Sequence, residues 1–275
     1  MKVAAVQMTS GTDVAANLGD AARLLRDAAD QGVSLAVLPE NFAFLGTDDK
    51  AKLAIAEPDG GGPIQAFLSR QAASLSLWLV GGTLPIRGDE ARAFSASLLY
   101  DPEGRRRARY DKIHLFDVGV PDVEESYRES AATIPGEQPI TADTPIGRIG
   151  MAVCYDIRFP ELFQRLGELG MDLLCLPAAF TVPTGEAHWS LLLRARAVES
   201  LCYVVAAAQS GEHGGGRRTY GHSMIVGPWG EILAERPSGA GIVVADLDIM
   251  HLCGLRTRFP ALSHRRRLAI ETPPG

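Results

Sequence analysis

Along the first third of the chain the apolar positions fall into two kinds of run. Val3 to Met8 reads as an apolar strand, and Leu35-Ala36-Val37-Leu38 is continuously apolar, the pattern of strands covered on both faces. Between them, from about Asp13 to Gln31, the pattern is helical, with Thr12 or Asp13 available as a cap and Gly32 as a stop. Pro63 opens a second helix that fades near Ser74, and Leu77 to Leu84 and Ser95 to Tyr100 read as the next strands. Asp101-Pro102-Glu103-Gly104 places a favoured turn residue at each position and predicts a hairpin. From Asp117 to Pro145 the pattern dissolves into acidic sequence containing Pro and Gly, and a loop this long within a compact domain is usually functional. Order returns with a strand at Ile149 to Cys154, a helix at Phe159 to Gly167, a buried strand at Leu173 to Leu176 and a helix at His188 to Leu201. Tyr203 to Ala208, Ser223 to Val226 and Gly241 to Leu247 read as strands, with a Gly-rich loop at Ser210 to Gly221 between the first two.

Alternating strands and helices with continuously apolar strands imply a layered α/β fold, and the even spread of elements favours one domain over residues 1–275. Leu35-Ala36-Val37-Leu38-Pro39-Glu40-Asn41-Phe42 also aligns with Leu173-Leu174-Cys175-Leu176-Pro177-Ala178-Ala179-Phe180. This is a weak signal of two βαβ halves, of the kind a pseudo-twofold axis would relate; chance similarity of buried strands explains it nearly as well. Where the first copy has Glu40 the second has Ala178, so the turn itself does not demand a carboxylate.

Composition removes several classes of function. The net charge of -6 invites neither nucleic acid nor an anionic membrane surface. The basic runs Arg105-Arg106-Arg107 and Arg265-Arg266-Arg267 read as solvated faces. The apolar start is too short for a signal segment, and no stretch approaches the ~20 residues needed to span a bilayer. The four cysteines (Cys154, Cys175, Cys202, Cys253) contain no C-x-x-C pair, which fits reduced thiols in the cytoplasm. With the six histidines they form no recognisable metal set, so neither metal nor other cofactor is expected. Serine-hydrolase, P-loop, dinucleotide-binding and HExxH motifs are missing from the sequence.

One cysteine stands in an unusual setting. Gly150-Met151-Ala152-Val153-Cys154-Tyr155-Asp156-Ile157-Arg158-Phe159-Pro160-Glu161 reads as strand, sharp turn and helix, with Cys154 at the C-terminal end of the strand. Ligands of open α/β sheets bind there, and backbone N–H groups of the turn would favour a thiolate and a developing oxyanion. Cys175 and Cys202, among apolar neighbours, read instead as small buried hydrophobes. A nucleophile needs a base and a charge stabiliser. Glu40, ending the run Leu35 to Pro39, is a desolvated carboxylate suited to a base, or else an ordinary surface glutamate. Lys112 beside Asp111 reads on its own as half of a surface ion pair.

Taken together, Leu38-Pro39-Glu40, Tyr110-Asp111-Lys112-Ile113-His114-Leu115 and Gly150 through Glu161 resemble, in order and spacing, the three signature segments of the nitrilase superfamily of carbon–nitrogen hydrolases. The resemblance covers nearly the whole chain. It implies an αββα four-layer sandwich that pairs into a homodimer, and a Glu40–Lys112–Cys154 triad assisted by a second glutamate, Glu129, from the long loop. It further implies thioester chemistry on a small-molecule amide, the oxyanion held by Lys112 and the backbone N–H of Tyr155. Ala187-His188-Trp189, Leu193 through Glu199, Cys202 through Gln209 and Tyr220 through Met224 resemble the Nit branch of that superfamily, the amidases of deaminated glutathione. That branch cleaves its substrate to 2-oxoglutarate and cysteinylglycine; an ω-amidase acting on 2-oxoglutaramate, or a carbamoyl-amine hydrolase, would use the same four residues. Gly214-Gly215-Gly216 departs from the bulkier residues of related enzymes and bears on specificity if that loop borders the pocket. Arg158 is a candidate partner for a substrate carboxylate or a brace for the helix through Glu161. Phe180 and Thr181 are candidate pocket walls, His188 reads as a helix start, and Arg194, Arg196 and Glu199 as an internal ion network. A papain-like reading would instead use His188 or His222 as base, and an idle scaffold would use none of these residues.

Overall fold

The computed structural model describes residues 1–46, 48, 50–119 and 126–266; Arg267 of the second basic run and residues 120–125 of the long loop lie outside that set. In chain order the elements are β1 (Lys2–Gln7), α1 (Val14–Asp30), β2 (Leu35–Val37), α2 (Pro63–Leu75), β3 (Trp78–Val80), β4 (Leu84–Arg87), β5 (Ala93–Tyr100), β6 (Arg106–Asp111), β7 (Asp117–Gly119), β8 (Ser126–Arg128), β9 (Thr133–Ile134) and β10 (Ile140–Thr144). There follow β11 (Gly147–Met151), α3 (Pro160–Glu168), β12 (Leu173–Ala178), α4 (Val182–Ser200), β13 (Tyr203–Ala208), β14 (Ser210–Glu212), β15 (Arg218–Tyr220), β16 (Ser223–Val226), β17 (Ile232–Arg236), β18 (Gly241–Asp246) and α5 (Ile249–Arg258).

Apart from the two-stranded pairs β7–β8 and β14–β15, the strands form two sheets that face each other. The first runs β18-β1-β2-β3-β5-β4, with β6 and β9 also paired to β5; the second runs β10-β11-β12-β13-β16-β17. Helices α1 and α2 cover the outer face of the first sheet and α3 and α4 that of the second, giving four layers, α-β-β-α. The continuous apolar runs now have a reason. Val3, Ala5, Leu35 and Val37 point into the core between the sheets, while Val6, Ala36 and Leu38 pack under the helices with Leu24 and Leu25 of α1. Period-two alternation thus buries both faces, and each buried Leu or Val contributes about 1.5–3 kcal/mol.

The duplication signal has a structural counterpart. Reading across each sheet, the successive pairings are antiparallel, parallel, parallel, antiparallel, antiparallel. Strand β2 matches β12 in this order, as their sequences do, and each feeds a helix on the outer face. The pairing of β5 with β6 confirms the hairpin at Asp101–Gly104.

Several elements differ from the sequence reading. Helix α4 begins at Val182, six residues before His188, because Thr181 serves as its N-cap position and Pro183 fits its first turn; His188 is therefore mid-helix. The run Leu77 to Leu84 is broken into β3 and β4 at Gly81 and Gly82. Strand β6 carries too many arginines to show an apolar period, and the long loop contains β7, β8 and β9 as short paired segments. The Gly-rich loop is a β14–β15 hairpin, and α5 follows the last expected strand. Arg196 does pair with Glu199 at 2.7 Å, but Arg194 donates to the carbonyl of Gly230 instead. Among the described residues no helix is long and apolar enough to cross a membrane.

Candidate active site

At the C-terminal end of β11 the chain turns sharply into a short 3-10 segment, Cys154–Arg158. Cys154 itself adopts φ 47°, a left-handed conformation that costs a side-chain-bearing residue about 1–3 kcal/mol. What holds it there is Asp156, fully buried. One carboxylate oxygen of Asp156 accepts from the Val153 N–H at 2.8 Å and the Tyr110 hydroxyl at 2.7 Å. The other accepts from the His114 N–H at 2.9 Å and lies 2.8 Å from the His114 ring Nδ1. The cysteine turn is thereby tied to the segment that carries Lys112.

Glu40 follows β2, displayed by the turn Pro39-Glu40-Asn41. Gly82, at φ 57°, passes so close that a Cβ there would lie 2.1 Å from the Pro39 carbonyl oxygen. Gln209, at the end of β13, donates to the Glu40 carbonyl at 3.0 Å and to Ser10 Oγ at 2.8 Å. One side chain therefore links the ends of three strands from two sheets.

Four side chains meet at this junction. Lys112 Nζ donates to Glu40 Oε1 and to Glu129 Oε2, both at 2.8 Å, and Lys112 is only 2% exposed. Glu129 Oε2 also accepts from the Phe116 N–H at 2.8 Å, and its other oxygen lies 3.9 Å from Lys52 Nζ. Asp111 pairs with Arg109 instead, so Lys112 is not the surface partner of its neighbour. Burial alone would push the Lys112 ammonium down; the carboxylates of Glu129 and Glu40 outweigh it and hold the group well above its ordinary range. Burial pushes Glu129 up, and Lys112 and Lys52 more than reverse this, so its carboxyl stays below the usual range.

The Cys154 thiol corrects one expectation. Burial first, and then the Glu40 carboxylate, push it well above its ordinary value, against the opposing pull of Lys112 and of the Ala179 N–H. Burial and the Glu40 carboxylate thus oppose the thiolate that the turn alone favours. This arrangement can deprotonate a thiol as it attacks, place a fixed cation beside a developing anion, and return the proton to a leaving group.

The pocket above these groups encloses about 460 Å³, part of it open to solvent. Its walls include Tyr155, Phe180 and Thr181, and also residues that the sequence reading did not single out: Asn41, Lys52, Phe116, Tyr127, Ala179, Thr184 and Arg217. The first two lie in turns around the base, and Arg217 directly follows Gly214-Gly215-Gly216, so the glycine loop does border the site. Arg158 does not line the pocket. Its guanidinium lies 3.2 Å from His188 Nδ1 and stacks 5.4 Å from the ring of Phe180. His222 meets Glu235 and the ring of Tyr220, so neither histidine adjoins the thiol as a papain-like base would. Among the described residues no group of three His, Cys, Asp or Glu could hold a metal ion.

Residues 2–254 match the carbon–nitrogen hydrolase family. A protein of Yersinia enterocolitica described as deaminated glutathione amidase is 41% identical over 273 residues, spanning 98% of this chain and 95% of that one. A human protein of the same description is 42% identical over 96% of this chain and 82% of its own length. Among solved structures, Nit3 of Saccharomyces cerevisiae, described as a member of branch 10 of the nitrilase superfamily, superposes with a TM-score of 0.85 at 32% identity, covering 94% of each chain.

Proposed function

The chain belongs to the carbon–nitrogen hydrolase family, and from that premise we propose that it is a cysteine amidase of deaminated glutathione, releasing 2-oxoglutarate and cysteinylglycine. The observation that carries this reading is the meeting of the Cys154 thiol, Glu40, Lys112 and Glu129 in one pocket. The names of the relatives supply the substrate.

In this mechanism Glu40 takes the thiol proton as Cys154 attacks the amide carbon. The oxygen of the tetrahedral intermediate is stabilised by the Lys112 ammonium and the Tyr155 N–H, which lies in the first turn of the short 3-10 segment, where backbone donors lack partners within the turn. Protonated Glu40 then passes its proton to the departing amine, leaving a thioester. Glu40 next activates water against that thioester, and Cys154 departs with its proton restored. Glu129 holds Lys112 in place through their shared hydrogen bond. Phe180 and Thr181 form the wall along the acyl group. Residues 1–275 act as one domain in this reading, since the base comes from the first half and the nucleophile from the second. The protein is proposed to be cytoplasmic, which suits its four free thiols. It is also proposed to be a homodimer.

Cys154→Ala is expected to abolish turnover of deaminated glutathione while circular dichroism and thermal unfolding stay near wild type. Wild-type protein should hydrolyse deaminated glutathione with a higher kcat/KM than 2-oxoglutaramate. Full activity in Cys154→Ala would end the proposed chemistry, and a preference for 2-oxoglutaramate would end the substrate assignment.

A further inference from the structure

We propose that the hydroxyls of Thr181 and Thr184 form a specificity subsite that donates a hydrogen bond to a neutral carbonyl oxygen on the substrate's acyl chain. This rests on the amidase reading for the molecule that carries the oxygen, which is then the 2-oxo group.

Helix α4 opens without its usual cap. Thr181 holds the N-cap position, where a threonine oxygen ordinarily accepts from a backbone N–H of the first turn. Here it makes no such bond. Its Oγ1 lies instead 2.8 Å from Thr184 Oγ1. A local preference set aside in this way is the kind of exception found at functional positions. Both residues line the pocket with Cys154 and Tyr155, and Thr181 is only 2% exposed.

The two hydroxyl hydrogens do not both find good partners. Only one of them can lie between the two oxygens. If Thr181 donates, the Thr184 hydrogen faces the Thr181 carbonyl, 3.4 Å away, which is long for a hydroxyl. That carbonyl already accepts from the Gly185 N–H at 2.8 Å. If Thr184 donates, the Thr181 hydrogen has no acceptor among the described residues. Either way one donor is left for the molecule that fills the pocket, and a molecule that offers it no acceptor is disfavoured.

The wall that carries the pair is fixed from behind. The Phe180 carbonyl accepts from the Tyr220 N–H at 2.9 Å, and Thr181 bridges to Thr219. Gly185 lies so close to Tyr220 that a Cβ there would stand 2.2 Å from the ring's Cγ. The first turn of α4 is thereby held against β15.

Position and charge select the ligand group. Ala179, whose N–H draws on the Cys154 sulfur, precedes Thr181 by two residues, at most about 7 Å of chain. A short acyl chain on that sulfur covers this distance with its own length and one hydrogen bond. Residues 179–184 contain no charged side chain, and Arg158 stands behind Phe180, outside the lining. A carboxylate pressed against this stretch would find no cation within it, whereas a ketone oxygen needs only a donor.

2-Oxoglutaramate and glutaramate differ by that one oxygen. Wild-type protein should show a higher kcat/KM for 2-oxoglutaramate. Thr184→Val, which keeps the shape and removes the hydroxyl, should cut that preference by about tenfold or more, and Thr184→Ser should keep most of it. Thr181→Val should act in the same direction. A loss shared equally by both amides, or a preference absent from wild type or unmoved by Thr184→Val, would overturn the subsite. A wild-type chain that hydrolyses neither these amides nor deaminated glutathione would instead sink the amidase reading. Calorimetry of the Cys154→Ala protein would then still decide the subsite: 2-oxoglutarate should bind more tightly than glutarate, and added Thr184→Val should erase the difference. Equal binding of the two, or binding of neither, would overturn it.

Discussion

Cys154 combines a left-handed backbone with a raised thiol, and the second property gives a direct test of its neighbour. The Glu40 carboxylate is a named cause of the raised thiol, after burial. In Glu40→Gln that negative charge is gone while Lys112 stays, so thiolate should appear at lower pH than in wild type even as hydrolysis is lost. Ultraviolet titration of each protein, less its Cys154→Ala counterpart, removes the signal of Cys175, Cys253 and Cys202, the last pushed up to about 12 by burial. An unmoved titration would remove Glu40 from the thiol. For Lys112 the relevant quantity is the difference between a nearly neutral amide oxygen and a full anion, since only that difference accelerates the reaction. Lys112→Gln should therefore lose about two orders of magnitude in kcat, ~3 kcal/mol, with substrate affinity far less affected. Near-normal kcat would detach Lys112 from the oxyanion. Cys154 stood out in the sequence by its strand-end setting, whereas Glu40 and Lys112, which read on their own also as surface residues, gained their roles only from the resemblance of the three segments. Lys52 and Arg217 gave no such signal. One sits on a short turn in charged sequence and the other after three glycines, and only the folded chain brings them to one wall.

At the scale of elements, what the sequence displayed was burial on both faces. β1, β2, β12 and β13 were readable because sheet and helix layers enclose them. Edge and hairpin strands such as β6, β7 and β17 are only partly buried and leave no such trace. Helix α4 was placed late because its first turn is Val-Pro-Thr-Gly, which looks like a loop until Pro183 is seen at a position where its missing N–H costs nothing. Two glycines make opposite predictions. Gly82→Ala would drive a methyl into the Pro39 carbonyl at a positive φ, so it should lower stability by about 2–4 kcal/mol and reduce kcat by displacing Glu40. Gly19 lies exposed within α1 with nothing near an added Cβ, and Gly19→Ala should raise stability by about 1 kcal/mol with kcat unchanged. Urea unfolding paired with initial rates distinguishes them; a harmless Gly82→Ala would show that the turn carrying Glu40 is not held by this contact.

For the molecule as a whole, the proposed homodimer has a surface to use. Leu191 and Val198 are 68% and 47% exposed, two helical turns apart on α4. Trp229, 59% exposed, contacts Phe259 with ring centroids 5.2 Å apart, and Gly230 lies against Val198. An apolar patch of this kind marks an interaction site. Leu191→Asp combined with Trp229→Asp should convert a dimer to a monomer in light scattering at micromolar concentration; an unchanged mass would move the interface elsewhere. A different consequence follows from the pairing of Lys2 with Asp246 and of Gln7 with Gly241. During synthesis β1 finds its neighbour on one side, β2, within seconds of being made, but its other edge waits for β18. At 5–20 residues per second that delay is on the order of tens of seconds. Through that interval the nascent chain carries a six-residue hydrogen-bonding edge with one side vacant, the kind of edge that recruits other chains.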